Sequence, residues 1–214
     1  MAPTLYVDSF SISPYAFSVY VALEEKGVPY VWKTVSLPRK EHHRSEYREA
    51  SITGRVPAIE HDGFWLAESA AIIDYLDEVF AAPRYERALP ADVKERARAR
   101  MVMHWIRSDL MAIREERPTH TMFYARADKP LTIEGQAAVG RLIETASRLV
   151  PDGATSLFPS GWCQADSDLA FMLQRLGLNG HDLPGKLRKF VDAQWARPSV
   201  QKWVAHERPP YEAY

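Results

Sequence analysis

Over roughly the first eighty residues, short apolar runs and single helical segments alternate. Leu5-Tyr6-Val7 reads as a short strand that ends at Asp8-Ser9. A loop from Phe10 leads to Ser13-Pro14, a hydroxyl N-cap followed by proline at the first helical position. The helix it opens runs to Lys26, with Val19, Ala22 and Leu23 on its apolar face, and Gly27 closes it as a left-handed cap. Val31 to Val35 is the next strand. Pro57 to Glu60 and Phe64 to Leu66 form a hairpin about His61-Asp62-Gly63, since Asp-Gly is a strong two-residue turn signal. Pro57 withholds an N–H from the sheet, which suits a strand start or a cis turn. Glu68-Ser69 then opens a helix with Ile72, Ile73 and Leu76 at helical spacing.

That order, βαβ then ββα, predicts a four-stranded mixed sheet in the thioredoxin-like arrangement over residues 1–80. Residues 81–90 carry two prolines amid mixed polarity and read as a linker. Beyond it, over residues 91–214, every pattern is helical, so the fold class is an α/β domain followed by an all-α domain. Asp92 to Glu116 repeats Val93, Ala97, Met101, Trp105, Ile106, Leu110 and Ile113 at three- and four-residue steps and reads as one helix ended by Pro118. Thr132 starts another, which runs to about Val150 and stops at Pro151-Asp152-Gly153. Pro184 to Trp195 is a further helix, and Arg197-Pro198 caps a last short one through Ala205.

Composition removes several classes of function. The 214 residues carry a net charge of −1 with both signs interspersed, so nothing favours nucleic acid or an anionic membrane. No apolar run approaches the ~18 residues of a membrane helix, and the Met1-Ala2-Pro3-Thr4 start lacks a signal segment, so a cytoplasmic location is expected. Cys163 is the only cysteine, which rules out an internal disulfide, a Cys-rich zinc site and a Cys-x-x-Cys oxidoreductase. No metal is expected.

Two features suggest ligand chemistry. The Glu68-Ser69 helix start offers unpaired N–H groups and a positive dipole end, a seat for a carboxylate. An exposed backbone edge ahead of Pro57 suits a small peptide. The polar stretch Leu37 to Ala50 reads either as a solvated loop with a loose helix or as a binding segment.

In order, Gly54-Arg55-Val56-Pro57, Leu66-Ala67-Glu68-Ser69, Ala71-Ile72 and Tyr75-Leu76 resemble the glutathione-binding half of the cytosolic glutathione S-transferases. Ser13-Pro14-Tyr15 resembles the Ser-Pro-Phe/Tyr of the serine-type members, and the chain as a whole is most similar to bacterial homologues of the YfcF type. The resemblance implies glutathione as co-substrate, a small hydrophobic electrophile or organic peroxide as partner, a detoxifying role and a homodimer. It assigns Ser13 to the glutathione sulfur, with Ser11 and Ser9 as competitors and the Tyr6 and Tyr15 hydroxyls ranked below them. Val56, ahead of a cis-Pro57, would pair with the cysteinyl backbone, while Ser69 and Glu68 would take the γ-glutamyl carboxylate and ammonium. His42, fourteen residues before Val56, would face the glycyl carboxylate, with Arg55 and His43 behind it. Tyr15, Trp105, Ser108 and Met111 are the candidate electrophile lining.

The chemistry is consistent with those roles. A thiol of pKa near 8.5 is only about 3% thiolate at neutral pH, and lowering it by ~2 units takes roughly 2.7 kcal/mol. One charge-assisted hydrogen bond contributes ~1.5–3 kcal/mol and a helix N-terminus ~0.3–1, so a hydroxyl at a helix mouth supplies nearly all of it. The resemblance also places a buried helix start at Trp162 to Asp166, where Cys163 stands for the usual hydroxyl. A thiol accepts weakly, so Asp166 is expected to hold that helix start. A non-catalytic carrier of glutathione or apolar ligands on the same fold is the alternative. A mixed-disulfide reductase fails, because no cysteine stands at the first helix start.

Overall fold

The computed structural model describes all residues from Met1 to Tyr214 and divides into two compact units, Met1–Leu89 with Lys202–Tyr214, and Pro90–Gln201. The first holds a sheet of order β2-β1-β3-β4, built from β1 (Thr4–Asp8), β2 (Val31–Val35), β3 (Ala58–His61) and β4 (Phe64–Ala67). β1 pairs with β2 in parallel and with β3 antiparallel, and β3 pairs antiparallel with β4. This is the mixed thioredoxin-like sheet that the pattern predicts. Asp62 (φ 52°) and Gly63 (φ 82°) make the hairpin turn with the left-handed pair that an Asp-Gly turn requires.

Helix α1 (Pro14–Lys26) begins and ends on the expected signals. Ser13 Oγ accepts the Ala16 N–H at 3.2 Å, and Gly27 closes the helix at φ 68°. Helix α2 (Ser45–Ser51) follows a 3-10 turn at Glu41–His43, so the polar stretch is ordered rather than a plain loop. Helix α3 (Ser69–Val79) buries Ile72, Ile73 and Leu76 with Leu5, Val7, Leu23 and Ile59 in the core of this unit.

The 81–90 segment differs from a free linker at its end. Ala88 and Leu89 are buried, and their N–H groups donate to Asp77 at 2.8 and 3.1 Å. Asp77 also takes Lys26 Nζ at 2.7 Å, and the same ammonium donates to Glu86 O at 2.7 Å. The Lys26 side chain is wholly buried. One ion pair therefore ties the end of α1, the last turn of α3 and the segment leading to Pro90. Lys26→Met should destabilise the protein by about 3 kcal/mol, because removing one partner of a buried pair leaves the other charge undercompensated. Urea unfolding midpoints would measure it, and a loss below about 1 kcal/mol would refute the staple.

The second unit holds α4 (Val93–Ser108), α5 (Met111–Glu116), α6 (His120–Phe123), α7 (Ile133–Leu149), α8 (Gln164–Leu178) and α9 (Gly185–Trp195). The single helix expected from Asp92 to Glu116 is two. Asp109 takes the next residue's N–H, from Leu110, on its own carboxylate at 2.6 Å, and Leu110 sits at φ 63°. A short acidic side chain that bonds its neighbouring backbone competes with the helical ladder, and here it wins.

The apolar row of α4 is corrected as well. Val93, Ala97 and Met101 are exposed, and the buried face is Ala99, Val102, Met103 and Ile106. Helix α10 (Pro198–Val204) ends the regular structure. The residues after it belong to the first compact unit. No helix is long and apolar enough to cross a membrane.

Candidate active site

Sheet register gathers the glutathione candidates of the sequence at one end of the first unit. β1 ends at Asp8, and the loop to Ser13 starts there. Parallel β2 ends at Val35 beside it, with Ser9 N–H donating to Val35 O at 3.1 Å, and leads into the His42 segment. Antiparallel β3 enters at the same end, just after Val56-Pro57, with Ala58 opposite both Tyr6 and Ala67. β4 leaves at that end into Glu68-Ser69. The β3–β4 ladder ends at the Ala58–Ala67 pair, so Val56-Pro57 and Glu68-Ser69 both flank the same end of the sheet.

Each segment is held by local bonds. Asp8 is fully buried, and its carboxylate accepts the Ile12 and Ser13 N–H groups at 3.0 and 2.9 Å. Burial pushes its pKa above the ordinary carboxylate range, and those N–H groups oppose the shift. Asp8 thereby shapes the Ser13 loop. Sequence reading took it only as the end of a strand, although an acid just ahead of a helix start is a usable cap signal. Ser11 has φ 52°, is 1% exposed, and its Oγ is buried without a hydrogen-bond partner. Ser13 is half-buried, and its Oγ acts as acceptor from Ala16, so the hydroxyl proton is available to an acceptor outside the helix.

The Val56-Pro57 peptide is cis, with Pro57 buried and Val56 half-buried. Val56 lies outside the β1–β3 ladder, which reaches only to Tyr6 and Ala58. Tyr47 Oη donates to Arg55 O at 2.8 Å, so α2 anchors the residue before Val56, while the Arg55 side chain is exposed. Tyr47 was missed in the sequence; a lone aromatic in a charged stretch was the available signal. Gly54 has φ 61°, and a Cβ there would lie 3.1 Å from His42 O. Gly54→Ala should therefore cost about 1–2 kcal/mol through left-handed strain and push the His42 segment from the Val56 strand. A thermal melt and a glutathione titration check both effects; full retention of affinity would refute the second.

His42 is half-buried against His43, with ring centroids 3.9 Å apart. Its Nδ1 is buried without a partner, and burial, then His43 and Lys40, hold its pKa below the ordinary value. Both effects favour the neutral ring. Glu68 is exposed at φ 69°, ψ 110°, outside the usual left-handed basin, and Ser69 is buried at the start of α3. No side chain caps that helix start. Non-glycine residues at positive φ thus stand next to or two residues before Ser13, His42 and Ser69, at Ser11, Lys40 and Glu68. Such strain persists where surroundings over-determine it, commonly at ligand sites.

The electrophile candidates are divided between the units. Tyr15 is half-buried in the first turn of α1. In the second unit Trp105 Nε1 donates to Asp109 at 3.3 Å, Ser108 Oγ donates to His104 O at 3.0 Å, and Met111 is exposed. Cys163 is buried, and burial and the Asp166 carboxylate push its thiol far up, which makes it inert as a nucleophile. No cluster of His, Cys, Asp and Glu side chains could hold a metal ion.

Comparison with known proteins identifies the family of the chain. The family model described as "Glutathione S-transferase, N-terminal domain" matches residues 12–79, and that described as "Glutathione S-transferase, C-terminal domain" matches residues 92–208. A glutathione transferase homologue from Burkholderia, solved with bound glutathione, is 42% identical, covers 94% of this chain and 96% of its own, and superposes with a TM-score of 0.78. The probable maleylacetoacetate isomerase 2 of Drosophila melanogaster is 38% identical over 52% of this chain and 48% of its own length. Human glutathione S-transferase theta-2 is 30% identical over 41% and 35%. The chain thus spans about half or less of the length of these curated relatives. With two family models covering most of its length, the chain belongs to the glutathione S-transferase family.

Proposed function

We propose that this protein binds glutathione at the gathered sheet end and activates its thiol for transfer to small hydrophobic electrophiles. The carrying observation is that the Ser13 loop, the His42 segment, Val56-Pro57 and Glu68-Ser69 all lie where the four strands point or enter. Val56, outside the ladder, offers N–H and C=O to the cysteinyl unit as a short added strand. The uncapped start of α3 and Ser69 take the γ-glutamyl carboxylate, and exposed Glu68 its ammonium. His42 donates a ring N–H to the glycyl carboxylate, with Arg55 near in sequence to Val56.

Ser13 is favoured over Ser11 because its side chain is partly exposed, whereas Ser11 Oγ is buried. The Ser13 hydroxyl accepts from Ala16 and donates its proton to the sulfur, so the sulfur loses its own proton to solvent and bonds as thiolate. The thiolate then attacks the electrophilic carbon and expels, for an aryl halide, a halide ion. With an organic peroxide, two glutathiones give the disulfide, an alcohol and water.

Calorimetry with glutathione, followed by assays on an aryl halide and a peroxide, tests the reading. Micromolar-to-millimolar binding with turnover supports it; binding without turnover on either substrate would make the protein a carrier, and no binding refutes the site. A homodimer is proposed too, on the family resemblance. Light scattering at 24.4 kDa rather than twice that mass would refute it.

A further inference from the structure

The chain beyond α10 returns to the loop that carries Ser13. It is anchored first by Trp203, which is 1% exposed and packs against Phe17, Tyr20 and Trp32 at centroid distances of 5.8, 5.2 and 5.9 Å. Lys202 adds an ion pair to Glu24 at 2.6 Å. Five residues after Trp203, the Arg208 guanidinium collects four carbonyls. Nη1 donates to Val204 O at 3.0 Å and His206 O at 2.8 Å, and Nη2 to Trp203 O at 2.8 Å and Ser11 O at 3.2 Å.

Three of those acceptors are carbonyls at or just past the end of α10, where a basic side chain commonly bonds the last carbonyls; Trp203 O also accepts the His206 N–H at 3.2 Å. The fourth belongs to the residue at positive φ, two positions before Ser13. The neighbouring Phe10 ring meets Tyr211 at 5.3 Å and stacks on Tyr214 at 6.0 Å and 6°.

We propose that Arg208 is a positioning residue for thiol activation: through the Ser11 carbonyl, with Tyr211 and Tyr214 on Phe10, it fixes the height of the Ser13 hydroxyl at the mouth of α1. Asp8 holds this loop from inside by two N–H bonds, and Arg208 holds it from outside by one carbonyl. A loop at positive φ needs such opposed restraints, because otherwise it relaxes toward ordinary backbone conformations. A shift of a few tenths of an ångström in Oγ weakens a charge-assisted bond to sulfur without abolishing glutathione binding, whose other contacts lie on different segments. The inference rests on the glutathione reading above.

The test measures the pKa of bound glutathione from its ultraviolet thiolate absorbance, in wild type, Arg208→Gln, Arg208→Lys and the double variant Tyr211→Ala/Tyr214→Ala. Arg208→Gln should raise the bound thiol pKa by about 0.5–1 unit, so that roughly three- to tenfold less thiolate is present at pH 6. Its glutathione Kd should change by less than about threefold. Arg208→Lys should fall between the two, because an ammonium cannot span four carbonyls as a fork does. A folded Arg208→Gln protein with an unchanged thiol pKa overturns the inference. If that variant does not fold, the double tyrosine variant decides by the same measurement, an unchanged thiol pKa again overturning it. A wild-type protein that binds glutathione yet leaves its thiol pKa unshifted overturns Ser13 activation and this inference together.

Discussion

Ser13→Ala should lower turnover with an aryl halide by about 50-fold at pH 6.5 and by little above pH 9. A bound thiol of pKa ~6.5 is half thiolate at pH 6.5, and one returned to ~8.5 is about 1% thiolate. The variant's rate should therefore climb nearly tenfold per pH unit between about 6.5 and 8.5 and then approach wild type. A variant crippled equally at all pH values would point to damage of the loop instead. Loss of the N-cap bond to Ala16 costs ~1 kcal/mol, so stability must be separated from chemistry. Ser13→Asp does this: a carboxylate caps the helix well but has no proton for the sulfur and repels a thiolate. It should keep the helix cap and be at least as slow as Ser13→Ala. Wild-type activity in either variant would remove Ser13 from the mechanism.

Asp166→Ala should be the most damaging substitution for the fold. In the buried start of α8 its carboxylate accepts the Leu157 N–H at 2.6 Å and the Cys163 N–H at 2.8 Å. The expectation that Asp166 carries this helix start, beside a weakly accepting thiol, agrees with those bonds. Two buried N–H groups left without partners cost roughly 1–3 kcal/mol each, so about 4 kcal/mol is expected. The size should depend on pH. Burial raises the Asp166 pKa from 3.8 to about 6, against the pull of those N–H bonds. The folded state then binds more protons than the unfolded chain between about pH 4 and 6. The stability linked to that proton is present below about pH 4 and is lost as pH rises through 6. The alanine variant lacks the group, so its deficit should widen by on the order of 1 kcal/mol from pH 7 to pH 5. Below pH 4 the lowered carboxyls of Asp109, Glu116 and Asp152 begin to take up protons, and wild type should weaken again. Urea midpoints across this range would show it; a deficit independent of pH would mean that Asp166 is an ordinary carboxylate.

The local devices were legible because their causes lie within a few residues. Ser13-Pro14 and Gly27 bound α1 as read, Asp62-Gly63 turns the hairpin, and Thr132 caps α7 by accepting the Gly135 N–H at 3.1 Å. Ser13, Val56, Glu68 and Ser69 were singled out for a related reason: they stand just before a strand or at a helix start, where backbone groups are left unpaired. The break at Asp109-Leu110 was not legible, because helical apolar spacing continues through it. The α4 face was misread because Val93, Ala97 and Met101 are spaced like a buried row. Periodicity shows that a helix has an apolar side, not which neighbour covers it.

From its own residues, then, the chain determined its element order, its caps and turns, the mixed sheet, and the segments from which a tripeptide thiol site could be built. Tertiary structure alone decided which groups far apart in sequence satisfy one another. Lys26 meets Asp77 across 51 residues, Tyr47 holds the carbonyl before Val56, and Arg208 reaches Ser11 across 197. The reason is physical: a cap or turn is satisfied by backbone groups whose distance the chain itself fixes. A buried charge or a strained carbonyl accepts whatever partner the packed fold delivers.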